Sequence, residues 1–184
     1  GPGEYRVLEA LQDGWTQTAP TSESGLGGQD DGTYLVSGSS GVNRASRNFG
    51  NFQLGRINGV KFDDTNGNGV RDEGEAGLTE WTIYLDVNEN GELDENEPST
   101  STDEDGAYEF TGLSAGSYRV REILQDGWTQ TMPEGEEHVE EVTSGSVFED
   151  RDFGNFQDVT ITVYKWEDWD GDGEWDQNEP PAGG

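Results

Sequence analysis

Cysteine is absent from this chain of 184 residues, so no disulfide can staple it. Cationic residues are scarce: ten Lys and Arg face forty Asp and Glu, and the only lysines are Lys61 and Lys165. No apolar run is long enough to cross a membrane as a helix, so no membrane insertion is expected in this segment. A formal net charge of -30 excludes nucleic acid and anionic membrane as partners. Divalent cations are the natural ones, although a solvated, salt-adapted acidic surface would account for acids outside special loops. With no cysteine and no phosphate-binding glycine motif, nucleophilic and phosphate-handling enzymes find no support. The one histidine, His138, lies in the polar stretch EGEEHVEEV and is expected at the surface.

Only 29% of the chain is hydrophobic, which at this charge ordinarily means disorder. Here, however, the aromatics and Val/Ile fall in regular strand-like patches. The chain also repeats itself. Residues 3–18 (GEYRVLEALQDGWTQT) return at 116–131 as GSYRVREILQDGWTQT, differing only at Glu4/Ser117, Leu8/Arg121 and Ala10/Ile123. NFGNFQ at 48–53 returns as DFGNFQ at 152–157. A period of about a hundred residues is a whole domain, not a solenoid turn. The expected organisation is the end of one repeat in 1–54, a complete repeat in 55–157, and the start of another in 158–184, so that the chain begins and stops in mid-domain. Such halves are expected to be completed by neighbouring repeats or by other subunits.

Within the complete repeat, alternating stretches predict strands near 57–62, 81–87, 107–111, 117–124, 138–143 and 147–156, separated by Gly/Asn/Asp turns. No stretch has helical period. The expected fold is all-β, an Ig-like β-sandwich in tandem repeats.

Residues 64–75 read DTNGNGVRDEGE, and the same template recurs as DVNENGELDENE at 86–97 and DWDGDGEWDQNE at 168–179. Each places oxygen-bearing residues at positions 1, 3, 5, 9 and 12, with glycine at position 6, the spacing of an EF-hand calcium loop. Calcium takes six to eight hard oxygens, which alternate side chains of a tight loop can supply. The candidate ligands are Asp64, Asn66, Asn68, the Val70 carbonyl, Asp72 and Glu75; then Asp86, Asn88, Asn90, the Glu92 carbonyl, Asp94 and Glu97. The third set is Asp168, Asp170, Asp172, the Glu174 carbonyl, Asp176 and Glu179. Pro98 and Pro180 follow the last ligand at once, and no helical pattern follows any loop, so these loops join strands. A fourth cluster, TDEDGAYEF, offers Asp103 and Asp105 either as weaker ligands or as a plain D-G turn. A site whose dissociation constant lies a hundredfold below ambient calcium stabilises the fold by about 2.7 kcal/mol. The loops are thus expected to be permanent struts rather than switches.

Both lysines stand three residues before a loop's first aspartate. In VTITVYK, Val159, Ile161, Val163 and Lys165 share one strand face, so Lys165 points into a core. Tyr118, Val120 and Glu122 share a face likewise, and Tyr5, Val7 and Glu9 repeat the arrangement. Isolated buried charges are costly, so such a lysine and glutamate should neutralise each other or react.

GVKFDDTNGNG, the D-G-x-Y stretch, GSYRVREILQDGW and DFGNF together resemble the B-type repeats of bacterial surface adhesins (SdrD B-like, Cna B-type). The resemblance spans 55–157 and both half-repeats. It implies a calcium-stabilised β-sandwich at the cell surface. In many Cna B-type members a first-strand lysine bonds covalently to a last-strand asparagine beside a buried glutamate. Carried over, Lys61 is the nucleophile, Asn155 the electrophile and Glu122 the proton shuttle, while Glu9, Asn51 and Lys165 are partial sites of the flanking repeats. An uncrosslinked Lys–Glu ion pair is the alternative.

The expected function is non-enzymatic: an extracellular, calcium-rigidified stalk or fibre module, with any isopeptide bond made once per chain. One alternative is a ligand-binding adhesin module using the extra residues between Thr18 and Asn48; another is an accessory module of a secreted enzyme. No external ligand is identifiable. Six tryptophans raise the question of sugar binding, but Trp15 and Trp128 are equivalent in the repeat and Trp166 aligns with Phe62, which predicts core packing.

Overall fold

The computed structural model describes residues 1–175, 177–178 and 180–181. Residues 55–157 carry nine strands in two sheets. The first sheet is built on β5 (Gly55–Asp63). One edge of β5 pairs antiparallel with β8 (Ala107–Leu113). Its other edge pairs parallel with β12 (Val147–Phe148) and, further along, with β13 (Phe153–Gln157). Beyond β13 lies β10 (Trp128–Met132). The second sheet has the order β11 (His138–Val142), β9 (Gly116–Glu122), β6 (Thr82–Leu85), β7 (Ser99–Ser101).

The strands form where side chains of one parity are apolar, because alternate residues face opposite sides of a sheet. In β8, Tyr108 and Phe110 are buried and Glu109 between them is exposed. The two inner faces meet in one core of Ile57, Ile83, Leu85, Tyr108, Phe110, Leu113, Val120, Val142 and Phe153. This is the expected all-β sandwich. The run 147–156, expected as one strand, is two: Asp150 at φ +59° breaks the ladder between β12 and β13. The polar strands β7 and β10 carry no apolar alternation and escaped the reading.

His138 corrects an expectation. It is half-buried, its ring edge-on to Phe153 at 5.0 Å, and its Nε2 lies 2.8 Å from the Asp152 carbonyl oxygen. In β11 it shares parity with Val142, which is buried, so strand geometry overrides the polar composition around it. Burial lowers its pKa.

Residues 1–53 form two small sheets, β1 (Gly3–Val7) with β3 (Tyr34–Gly38), and β2 (Trp15–Ala19) with β4 (Gly50–Gln53). A single 3-10 turn, Ser22–Ser24, is the one helical element among the described residues. Only Leu54 separates β4 from β5. The same junction is tied by hydrogen bonds from the Gly145 amide to the Gln53 carbonyl and from the Gln53 amide to Ser144 Oγ.

Candidate functional site

The most deeply buried charge lies between the sheets. Lys61 on β5 has no exposed surface, nor has Asn155 on β13, and Glu122 on β9 is 8% exposed. Lys61 Nζ is 2.7 Å from Glu122 Oε2, and Asn155 Nδ2 donates to Glu122 Oε1 at 2.7 Å. Parity puts Lys61 on the face of Ile57, and the parallel register sets Phe153 opposite Lys61 and Asn155 opposite Asp63. The structure therefore brings together the lysine, glutamate and asparagine singled out from the sequence.

Trp81, which sequence reasoning passed over, covers the amine: Lys61 Nζ lies 4.4 Å from its ring centroid, and Trp128 meets Trp81 edge-on at 5.6 Å. The available signal was parity, since Trp81 shares a face with Ile83 and Leu85. Burial drives the Lys61 pKa down to about 8, against the opposing pull of Glu122. Burial likewise pushes Glu122 up, opposed by Lys61 and by the Asn155 hydrogen bond. Both shifts favour a neutral amine beside a neutral acid. Asn155 Oδ1 is buried without a partner. A half-turn of the amide would set that oxygen on Glu122, where a protonated carboxyl could donate to it.

The first two acidic loops both join strands: 64–75 between β5 and β6, and 86–97 between β6 and β7. They share one hydrogen-bond pattern. Asp64 accepts from the amides of Asn68 (3.1 Å) and Gly69 (2.7 Å), as Asp86 does from Asn90 (3.1 Å) and Gly91 (2.9 Å). Asn66 and Asn68 both donate to Asp72, and Asn88 and Asn90 both donate to Asp94. Glu75 closes the first loop on the amides of Thr65 and Asp72, and Glu97 closes the second on those of Val87 and Asp94. Gly69, Gly91 and Gly173 sit at φ +72°, +78° and +80°, the left-handed turn that position 6 requires.

In each of these two loops hydrogen bonds thus tie positions 3 and 5 to position 9 and hold positions 1 and 12 on the loop's own amides, while among the described residues three carboxylates draw within 4.8 Å of one another in the third loop alone. The donors are all hard oxygens, a set that fits calcium. In the third loop Asp168, Asp170 and Asp172 each offer a carboxylate oxygen, all within 4.8 Å of one another. The expected ligands Asp176 and Glu179 lie outside the described residues. Val70 and Glu92 stand at position 7 of their loops, each amide bonded to the side chain at position 5, as is that of Glu174.

Burial raises the Asp64 pKa, but hydrogen bonding to the carboxylate, with the amides of Gly69 and Asn68 donating, outweighs it, leaving the carboxyl below its ordinary value. Asp86 gains a partner the sequence did not suggest, Arg121 Nε at 3.1 Å. Asp103 Oδ1 accepts from the amides of Asp105 and Ala107, the bonding of a tight turn before β8. The remaining candidates are apart from these clusters. Glu9 and Asn51 line one small cavity, and Lys165, expected to point into a core, is exposed and lies outside any strand.

Two packed sheets, a buried amine–carboxyl–amide cluster on three strands and acidic loops between strands define a β-sandwich module. The profile of the SdrD B-like domain matches residues 55–150, and the chain belongs to that family. Membership puts it outside the cell, at the surface. Serine-aspartate repeat-containing protein D of Staphylococcus aureus (strain Newman) is 31% identical over 195 residues, covering 99% of this chain and 14% of that protein. Serine-aspartate repeat-containing protein F of Staphylococcus epidermidis (strain ATCC 12228) is 25% identical, covering 99% and 12%. The chain thus spans about a seventh or less of the length of these relatives. Among solved structures, the minor pilin GBS52 of Streptococcus agalactiae gives a TM-score of 0.43 at 15% identity, covering 73% of this chain and 68% of that one.

Proposed function

We propose that the chain is a non-enzymatic structural module of an extracellular stalk, braced by calcium in its strand-to-strand loops and by an isopeptide bond between Lys61 and Asn155. The observation that carries the reading is the contact of Lys61, Glu122 and Asn155 in a site closed to water. An ion pair alone gains little from such burial, because desolvation offsets the attraction. A reactive pair gains from it, since the free amine is the nucleophile.

In the proposed step the neutral Lys61 amine attacks Cγ of Asn155. The C–N bond to Nδ2 breaks and ammonia leaves. Glu122 first donates to the amide oxygen, then takes the proton released by Nζ and delivers it to the departing nitrogen. One amide replaces another, so no oxidant or energy source is needed. Calcium, when bound, supplies positive charge among clustered carboxylates; Asp64, Asn66, Asn68, Asp72 and Glu75 would hold it in the first loop, and their counterparts in the others. The partners proposed are neighbouring repeats or subunits of the same protein.

Intact mass spectrometry of the full chain tests the covalent part. The reading expects a mass one ammonia below that of the sequence, and a digest containing a branched peptide that joins Lys61 to Asn155. A full sequence mass with free Lys61 would overturn it. Calorimetric titration with calcium tests the loops, which are expected to give saturable binding; no heat above dilution would overturn that part.

A further inference from the structure

Asparagine is followed directly by glycine at four places in the chain, 58–59, 66–67, 68–69 and 90–91. Glycine has no Cβ to shield its backbone nitrogen or to restrict rotation about it. That nitrogen can therefore reach the Cγ of the asparagine before it, close a five-membered imide and expel ammonia.

Three of the four pairs lie in the first two acidic loops, and they are not equivalent. Asn66 and Asn68 are both exposed, and each precedes a left-handed glycine, Gly67 at φ +68° and Gly69 at φ +72°. Each side-chain oxygen accepts from the backbone amide two residues on, that of Asn68 at 3.0 Å and that of Val70 at 2.7 Å. Each Nδ2 donates to the same oxygen of Asp72 at 2.8 Å. The two sites differ in the amide that would attack. The Gly67 N–H donates to the main-chain carbonyl of Asp64 at 3.1 Å, whereas the Gly69 N–H donates to Oδ2 of the Asp64 carboxylate at 2.7 Å. Near neutral pH a carboxylate can take such a proton and a carbonyl cannot.

Asn90 repeats the arrangement of Asn68. Its Oδ1 accepts from the Glu92 amide at 2.8 Å, its Nδ2 donates to Asp94 at 2.9 Å, and the Gly91 N–H donates to Asp86 Oδ2 at 2.9 Å. Asn58 is the opposite case. Gly59 is paired with Tyr108 across the β5–β8 ladder, and a Cβ on it would meet the Arg151 carbonyl oxygen at 2.2 Å, so the backbone there has no room to turn.

We propose that Asn68 and Asn90 are sites of spontaneous deamidation, with Asp64 and Asp86 as the proton acceptors. As Gly69 N attacks Asn68 Cγ, its proton passes to Asp64, and the Val70 amide steadies the charge gathering on Oδ1. The Cγ–Nδ2 bond breaks, and the nitrogen leaves as ammonia with the proton that Asp64 took. Water then opens the imide at either carbonyl. One opening gives aspartate; the other gives isoaspartate, whose main chain is longer by one carbon. Aspartate at position 5 is what the third loop already has in Asp172. The first two loops would gain that carboxylate after synthesis, with no enzyme.

Peptide mapping by mass spectrometry tests this on the full chain, held for weeks at mildly alkaline pH in calcium and, separately, in chelator. Each conversion adds the difference between a water and an ammonia, opposite in sign to the loss expected at Lys61 and Asn155. In at least one of the two buffers Asn68 and Asn90 should convert about a hundredfold faster than Asn66, the lower end of what a placed base contributes. Asn58 should be slowest. In urea the four sites should react alike. Asp64→Asn should bring Asn68 down to the rate of Asn66 while Asn90, in the same molecule, keeps its own. Asn68 no faster than Asn66 in either buffer would overturn the proposal. So would a ranking that survives in urea, since local sequence would then set it. Isoaspartate at both sites, detected by an isoaspartyl methyltransferase, is expected; aspartate alone would mean direct hydrolysis and overturn the imide route. None of these outcomes depends on whether the loops hold calcium.

Discussion

Lys61 matters because of what surrounds it. In water a lysine stays protonated and unreactive near neutral pH; between two sheets, beneath Trp81, its pKa falls to about 8. Glu122→Gln keeps a side chain of the same size against Lys61 and Asn155 but cannot shuttle a proton. It is expected to retain the full ammonia mass and to lose about 4.7 kcal/mol of stability, the chain-entropy value of closing a loop of this order. Denaturant unfolding beside mass spectrometry would measure both.

Asp64 yields a pH prediction. Its carboxyl is held below the ordinary value in the folded state, so it contributes stability above the unfolded carboxylate pKa and loses it as pH falls through the lowered one. Midpoints should therefore fall as pH drops below about 5, through the unfolded carboxylate pKa of about 3.9, and fall less steeply in Asp64→Asn, which has no charge to titrate.

At the level of elements, loop 64–75 crosses from one sheet to the other and loop 86–97 closes the β6–β7 hairpin, and each turns on a left-handed glycine. Chelation should lower the thermal midpoint, with each filled loop contributing about 2.7 kcal/mol when calcium is a hundredfold above its dissociation constant. Asp86→Ala should remove one loop's share and also take from Arg121 one of its two carboxylate partners, leaving Glu137, so its cost should exceed that of Asp94→Ala. Differential scanning calorimetry of both variants, with and without calcium, would show the difference.

Much of this was legible in the sequence. β5, β8 and β9 announced themselves through apolar parity, and the inward Glu122 followed from the same rule; the lysine that parity sent inward, Lys165, is exposed, and Lys61 was reached through its matching place before a loop and the family resemblance. What remained hidden was non-local. β7 and β10 are strands because neighbours pair with them, not because their residues alternate. The break at Asp150 is a backbone turn with no hydrophobic signature. Trp81 over Lys61, and Arg121 on Asp86, depend on which strands lie side by side, which composition does not encode.

For the whole molecule, forty acidic against ten basic side chains make folding a question of repulsion as much as of burial. The core is confined to a few strands, while carboxylates cover the rest. Without calcium, added sodium chloride should raise the unfolding midpoint by screening that repulsion; with calcium bound the dependence should flatten. Thermal scans from low to molar salt, in calcium and in chelator, would compare the two slopes.

One pairing noted above bears on how the module would respond to pulling. The chain enters residues 55–157 through β5 and leaves through β13, and these strands lie side by side in parallel. Tension applied at the two ends slides them past each other, so their hydrogen bonds are loaded together rather than unzipped one at a time. Lys61 and Asn155 lie on this pair. A covalent bond between them would carry the force across the strands directly, leaving residues 62–154 slack while the stalk is stretched.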